Sequence, residues 1–371
     1  MVGLLLSCPA AIAANTLIDI PNSDTAIGFA GKIHLDVLVN SDDMGNITAF
    51  SPASLPTQES SGNMQTTLSA GQTKFQFMTA TQVNEDSVNT LIEWDWYNQD
   101  NSSGFHLTQL WAEHKNLGAG QTFSVFMDIS TFPNTLEYFG PNSMVFVRQP
   151  QIRYTLPLGE GQRVAFAVEQ PNSAVENANG HESLPDFTAH WRLEDGGSHI
   201  QVAGILRQLA YTDGDNDVES TLGFGLNITG NWAFSDADTL SAAFVVGEGI
   251  GRYINDTSFT DSDAVVKANG DLEALPVMGA FAFLNHDWSD QLSSSIGYGI
   301  LDVDNSNDQV NPANNATYAT FQRSNFSVVN VLYQVSAPLQ VGTELQWGDF
   351  KDVNGNKGDN LRWQSSVIYR F

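Results

Sequence analysis

The sequence is short of cysteine, of basic residues and of long apolar runs, and each shortage excludes something. A single cysteine, Cys8, rules out a disulfide framework. Lys+Arg number 15 against 42 Asp+Glu, a formal charge of −27. Phosphate binding needs a basic face, so nucleic acid is excluded as a partner. No internal stretch approaches the roughly 20 consecutive apolar residues of a membrane-spanning helix, which excludes a helical membrane protein. Charged residues make up 15 % of the chain, where about 25 % is usual in a soluble domain. In their place stand 42 % apolar residues, 11 % aromatics and 31 glycines. Aromatic and β-branched residues run throughout, so the chain is not disordered.

Residues 1–13 read as the tail of an export signal. An apolar core, Val2 to Leu6, precedes the small-residue site Ala11-Ile12-Ala13. The basic start is missing, which fits a truncated or misassigned beginning. Cleavage after Ala13 removes Cys8 and leaves 14–25 as a short periplasmic segment. Leu5-Leu6-Ser7-Cys8 loosely resembles a lipoprotein site, but only seven residues precede the cysteine.

The recurring pattern is alternation. Ile27, Phe29, Ile33, Leu35 and Val37 share one face, with Lys32, His34 and Asp36 on the other. Trp363, Ser365, Val367, Tyr369 and Phe371 repeat the pattern at the end. About sixteen such segments lie between 26–38 and 358–371, near the 9–11 residues that a tilted strand needs to cross a bilayer. Long connections (39–73, 127–149, 171–184, 250–271, 304–321) alternate with tight turns such as Gly159-Glu160-Gly161 and Asp195-Gly196-Gly197. Short turns at one end and long loops at the other predict an all-β fold: a 16-stranded antiparallel transmembrane β-barrel over 26–371. A final strand ending in Phe371, with Tyr369 and Val367 on its face, resembles the assembly signal read by barrel-insertion machinery.

In a barrel the apolar face meets lipid and the polar face lines the interior. Parity places Lys32, Lys74, Arg153, Arg163, Arg192, Arg207 and Arg362 inward. Most acids fall in loops, so the net charge describes the outside and need not set pore selectivity. Glu93, Asp95, Asp36 and Glu194 point inward too and could cancel the basic side. Segment 127–149 mixes aromatics with Arg148. Left in water it would be costly, so it either folds into the pore as a constriction loop or packs outward on a neighbouring subunit.

The run Gly118 to Asp128, then Phe132-Pro133, Gly140-Pro141-Asn142 and Val145 through Tyr154, resembles the DcaP-like trimeric porins of Gram-negative outer membranes. Ile20-Pro21-Asn22 and Gly31 to Asp36 resemble that family's first strand. The resemblance implies a sixteen-stranded homotrimer, 127–149 as the constriction, and passive uptake of small anions such as dicarboxylates and phthalate-like acids. It also puts Arg148 and Arg153 at or beside the constriction. Strand His106 to Trp111 lacks the arginines expected from relatives, which puts anion preference in question. On this reading Arg148, Arg153 and Lys32 draw the anion in, while Phe132 and Tyr138 narrow the passage.

Seven scattered histidines, without HExxH or GxSxG, give no catalytic constellation, and no cofactor is expected. Asp213, Asp215 and Asp217 alternate as calcium ligands can, but the run lacks the glycine and downstream glutamate of an EF-hand loop. A solvated extracellular loop, or divalent ions bridging to lipopolysaccharide, are the other readings of that run. The rivals are a non-specific or cation-preferring porin, a barrel enzyme, and an adhesive or structural barrel.

Overall fold

The computed structural model describes residues 17–57, 62–98, 104–176, 178–213, 217–309 and 319–371. The proposed signal segment 1–13 lies outside them. Sixteen strands form the wall: β1 (Thr25–Asn40), β2 (Lys74–Val83), β3 (Asp86–Asp95), β4 (His106–His114), β5 (Leu117–Phe123), β6 (Arg148–Gly159), β7 (Gln162–Glu169) and β8 (Asp186–Asp195). They continue with β9 (Ser198–Thr212), β10 (Val218–Ala233), β11 (Asp238–Glu248), β12 (Pro276–Asp287), β13 (Leu292–Val303), β14 (Phe321–Ser336), β15 (Leu339–Asp352) and β16 (Lys357–Arg370). Each is antiparallel to the next, and β1 pairs with β16 to close the barrel. The strands differ from the sequence expectation mainly at their ends. For example, β10 runs on to Ala233 and β5 stops at Phe123.

Two short strands lie outside the expectation. Ile18–Asp19 pairs with Ile27 and Ala26. Gln65–Ser69 pairs with the upper half of β1, from Asn40 down to Asp36. A separate small sheet joins Val175–Glu176, Ala264–Val266 and Leu272–Ala274 within the long loops. Their brevity leaves too few residues for alternation to register.

Burial is inverted relative to a water-soluble sheet. On β1, Phe29, Ile33 and Leu35 are exposed while His34, Asp36 and Asn40 are buried. The closed wall satisfies every ladder, so the apolar outer face can lie in hydrocarbon. Connections 84–85, 115–116, 160–161, 196–197, 234–237, 288–291 and 337–338 are tight and share one end. The intervening connections at the other end are mostly long, as in outer-membrane barrels.

The interior is divided. Many inward side chains of β11–β15, among them Val245, Val277, Phe281, Phe283, Leu301, Phe326 and Phe350, are apolar and buried. Phe50, Phe126, Met127, Met144, Tyr253 and Ile254, from loops 41–57, 124–147 and 249–263, cover them. Each such side chain taken out of water contributes about 2 kcal/mol, so this half is packed solid. The inward wall of β1–β8 keeps most of its polar and charged residues, and the candidate site lies there.

Candidate functional site

The register places charged side chains on one hydrogen-bonded row. Arg370 pairs with Lys32, Lys32 with Lys74, Lys74 with Asp95, and Asp95 with His106. The row starts at the C-terminal end of β16 and finishes at the upper ends of β3 and β4. Lys32 Nζ lies 3.1 Å from His34 Nδ1, and Lys74 pairs with Glu93 at 3.0 Å.

Above the row, segment 124–147 folds inside the barrel. The Tyr138 hydroxyl donates to Asp95 Oδ2 at 2.7 Å, and its ring stacks on Tyr97 at 4.2 Å. Burial and the neighbouring Asp95 push the Tyr138 hydroxyl well above its ordinary pKa, so it remains a donor. A cavity of about 790 Å³ opens beside it, lined by Tyr97, His106, Tyr138, Phe139, Arg148 and Arg252 among others. The Arg148 guanidinium sits 5.3 Å from the Phe146 ring centroid and 5.9 Å from that of Phe123. Arg252 stacks over Tyr253 at 5.0 Å, donates to Gln149 Oε1 at 3.0 Å and lies 3.6 Å from Asp186. Two guanidinium groups beside aromatic faces can hold a carboxylate through charge-assisted hydrogen bonds while its apolar body rests on a ring.

The interior segment is fastened at its root and its middle. Asp128 accepts from Arg192 Nη1 at 2.7 Å, and from His199 Nε2 and Thr229 Oγ1, both at 2.8 Å. Burial alone would raise its carboxyl, but the His199 bond and the Arg192 charge outweigh it and hold it far below the carboxylate range. At the middle, Leu136 N and Glu137 N donate to Glu344. Glu137 accepts from Phe50 N at 2.8 Å and Gly140 N at 2.6 Å, and burial raises its pKa.

Three basic residues expected to line the pore are corrected by their surroundings. Arg192, Arg207 and Arg362 do point inward, but loops seal them off. Arg192 is spent on Asp128 and Glu194. Arg207, 0 % exposed, bonds Asp186 and Asp263 and the Asn172 carbonyl. Arg362, also 0 % exposed, holds Asn40 and the Ile47 carbonyl. Phe132 is half-buried and packs beside Phe146 at 6.1 Å, against the apolar half. Arg153 is half-buried, stacked on Trp111 at 5.3 Å and bonded to the Phe123 carbonyl and Gln151. Arg163 pairs with Glu194 at 3.0 Å, just beyond the tight turn 160–161. Asp217 N donates to Asp213 Oδ1 at 2.9 Å, while Asp215 lies outside the described residues. No group of three or more His, Cys, Asp or Glu is placed to hold a metal ion among the described residues.

Arg252, Tyr97 and Arg370 join the site without having been expected there. Arg370 was visible by parity, since it alternates with Tyr369 and Phe371. Arg252 was not: it sits in a 3-10 turn, Gly251–Tyr253, where alternation carries no information.

Comparison with known proteins places this geometry. The outer membrane channel DcaP of Acinetobacter baumannii superposes with a TM-score of 0.77 at 17 % identity, over 96 % of this chain and 100 % of that one. OmpT of Vibrio cholerae gives 0.60 at 9 % identity, over 96 % and 100 %. Salmonella typhi OmpF in complex with daunomycin gives 0.58 at 13 %, over 95 % and 100 %. No curated protein matches in sequence. Family and fold are those of outer-membrane porin channels, integral to the outer membrane. The chain belongs to the DcaP outer membrane protein family, whose model matches residues 5–364.

Proposed function

We propose that the protein is a passive porin for small anionic solutes, dicarboxylates and aromatic acids among them. The observation that carries this reading is the cationic row, Arg370, Lys32 and Lys74, leading up to a cavity flanked by Arg148 and Arg252. Of the inward acids, Glu93 pairs with one member of the row, Lys74, and offsets it, while the others are engaged elsewhere. Glu93 is held by Lys74, Gln76 and Thr108, and Asp95 by His106 and Tyr138. Asp36 takes up Ser366, Gln364 and Gln72, and Glu194 is paired with Arg163 and Arg192. A solute in the lumen therefore meets Lys32, Arg370 and Arg148, none of them in a salt bridge with an acid among the described residues, and binding stays weak enough for release. Segment 124–147 acts as the constriction on this reading, and no catalytic step is part of it.

The reading includes a homotrimer. On the outer wall, Phe371, Gly31, Phe75 and Trp94 share one row. The rings of Phe75 and Phe371 meet at 6.0 Å across Gly31, where a side chain would collide with the Phe371 ring at 2.9 Å. This aromatic stripe climbs from the end of β16 to the top of β3, whereas a lipid girdle keeps one height. Two strands on, β5 has 7 residues, fewer than the roughly 9–11 that span a bilayer. A second copy would cover the low wall. One OmpT structure of Vibrio cholerae is described as a trimer form. Export under residues 1–13, recognition of Phe371 by insertion machinery and contact of the acidic loops with lipopolysaccharide complete the proposal.

The test is the reversal potential of the refolded protein in a planar bilayer across a KCl gradient. Anion preference, reduced in Arg148→Ala with Arg153→Ala, supports the reading. A cation-selective potential, or one unmoved by the double substitution, would sink it and favour a general porin.

A further inference from the structure

We infer that the cavity beside Arg148 takes hydroxylated ring acids, of which a uronic acid is the simplest, and not only planar aromatic acids. This rests on the anionic-solute reading and narrows it. Two carboxylates need two cations and little else, yet the cavity offers more. Asn172 and Asn179 line it from loop 170–185, both exposed, and neither side chain bonds any described residue. Gln121 and Asp261 line it as well. Burial, and then the neighbouring Asp263, raise the Asp261 carboxyl. In a site meant only for carboxylates, Asp261 would repel the ligand. Against hydroxyl groups it is an acceptor, and the two asparagines supply both donors and acceptors.

Aromatic surface completes the match. Phe139, Phe146 and Phe259 line the same cavity, and the apolar face of a sugar ring rests on such rings while its rim of hydroxyls reaches polar side chains. The volume, about 790 Å³, leaves room for a ring acid together with ordered water. The arrangement thus divides the work: Arg148 takes the carboxylate, the aromatic side takes the ring, and Asn172, Asn179 and Asp261 take the hydroxyls.

A matched pair of ligands isolates the hydroxyl contribution. Galacturonate and cyclohexanecarboxylate share a six-membered ring and one carboxylate, and differ in the hydroxyls and the ring oxygen. Each is titrated against single channels of the refolded full-length protein, with phthalate as a third ligand. Galacturonate should block at a lower concentration than cyclohexanecarboxylate. In Asn172→Ala with Asn179→Ala that preference should fall about tenfold, the loss of two neutral hydrogen bonds. Absence of the preference in the unaltered protein, with phthalate still blocking, would overturn the inference and leave the anionic reading standing. A preference that survives the double substitution would overturn the assignment to these asparagines. If none of the three acids blocks, the anionic reading itself fails.

Discussion

Replacing Asp128 by alanine should loosen the root of the interior segment. Its carboxylate collects Arg192, His199 and Thr229 side chains and the Ser130 amide, and is almost wholly buried. Removing one partner of a buried charged pair costs about 3–5 kcal/mol when the other is left alone. Arg192 keeps Glu194 at 2.6 Å and Ser130 Oγ at 3.1 Å, which puts the expected cost near the lower figure. About 3 kcal/mol is a factor of roughly a hundred in the ratio of released to seated segment. The assay is limited proteolysis of the folded barrel, with cleavage between 124 and 147 scored alongside single-channel noise. Both should rise, while the barrel itself stays folded. The pH dependence adds a sign. The depressed Asp128 pKa gives stability that is full above the unfolded value near 4. That stability is lost as pH falls through the folded value. Acid should therefore release the segment in the unaltered protein and have little further effect in Asp128→Asn. Cleavage and noise unchanged by Asp128→Ala would refute the anchoring role.

Three further outcomes follow from the same contacts. Gly140 has φ +78° and a Cβ there would lie 2.8 Å from the Phe132 ring, so Gly140→Ala should cost about 1–3 kcal/mol, read from the unfolding midpoint in denaturant. Asp256 is pushed up to about 7 by burial, against hydrogen bonds from Ser324 and Ser51. Its ionisation lowers stability as pH rises from about 4 to about 7, so Asp256→Asn should gain on the unaltered protein over that range, and parallel pH profiles would contradict this. Phe371→Ala should lower the yield of folded barrel in outer membranes, and on the proposed homotrimer Trp94→Ala should weaken the assembly without unfolding the protomer. Both are read by heat-modified gel mobility.

Strand positions were legible because a bilayer and a lumen force strict two-residue alternation. Arg192, Arg207 and Arg362 share the buried face of their strands. Parity carries no information on what lies in front of a side chain. Arg207 and Arg362 are covered by loops 41–57, 170–185 and 249–263, whose folds have no period to read. The same limit hid Arg252 and the apolar half of the interior. Inward Phe281 and Phe283 alternate with the equally apolar Ala280, Ala282 and Leu284, so that strand reads as uniformly apolar. Arg148 was legible only through its motif, since it stands at the junction of an irregular segment and β6.

The central claim is that an acid-binding site sits in a conducting lumen. Single-channel current through the refolded protein, with phthalate titrated into one side of the bilayer, tests it most directly. Stepwise conductance interrupted by blocking events whose frequency rises with phthalate, and which fade in Arg148→Ala, is the predicted result. Open conductance indifferent to phthalate would contradict it.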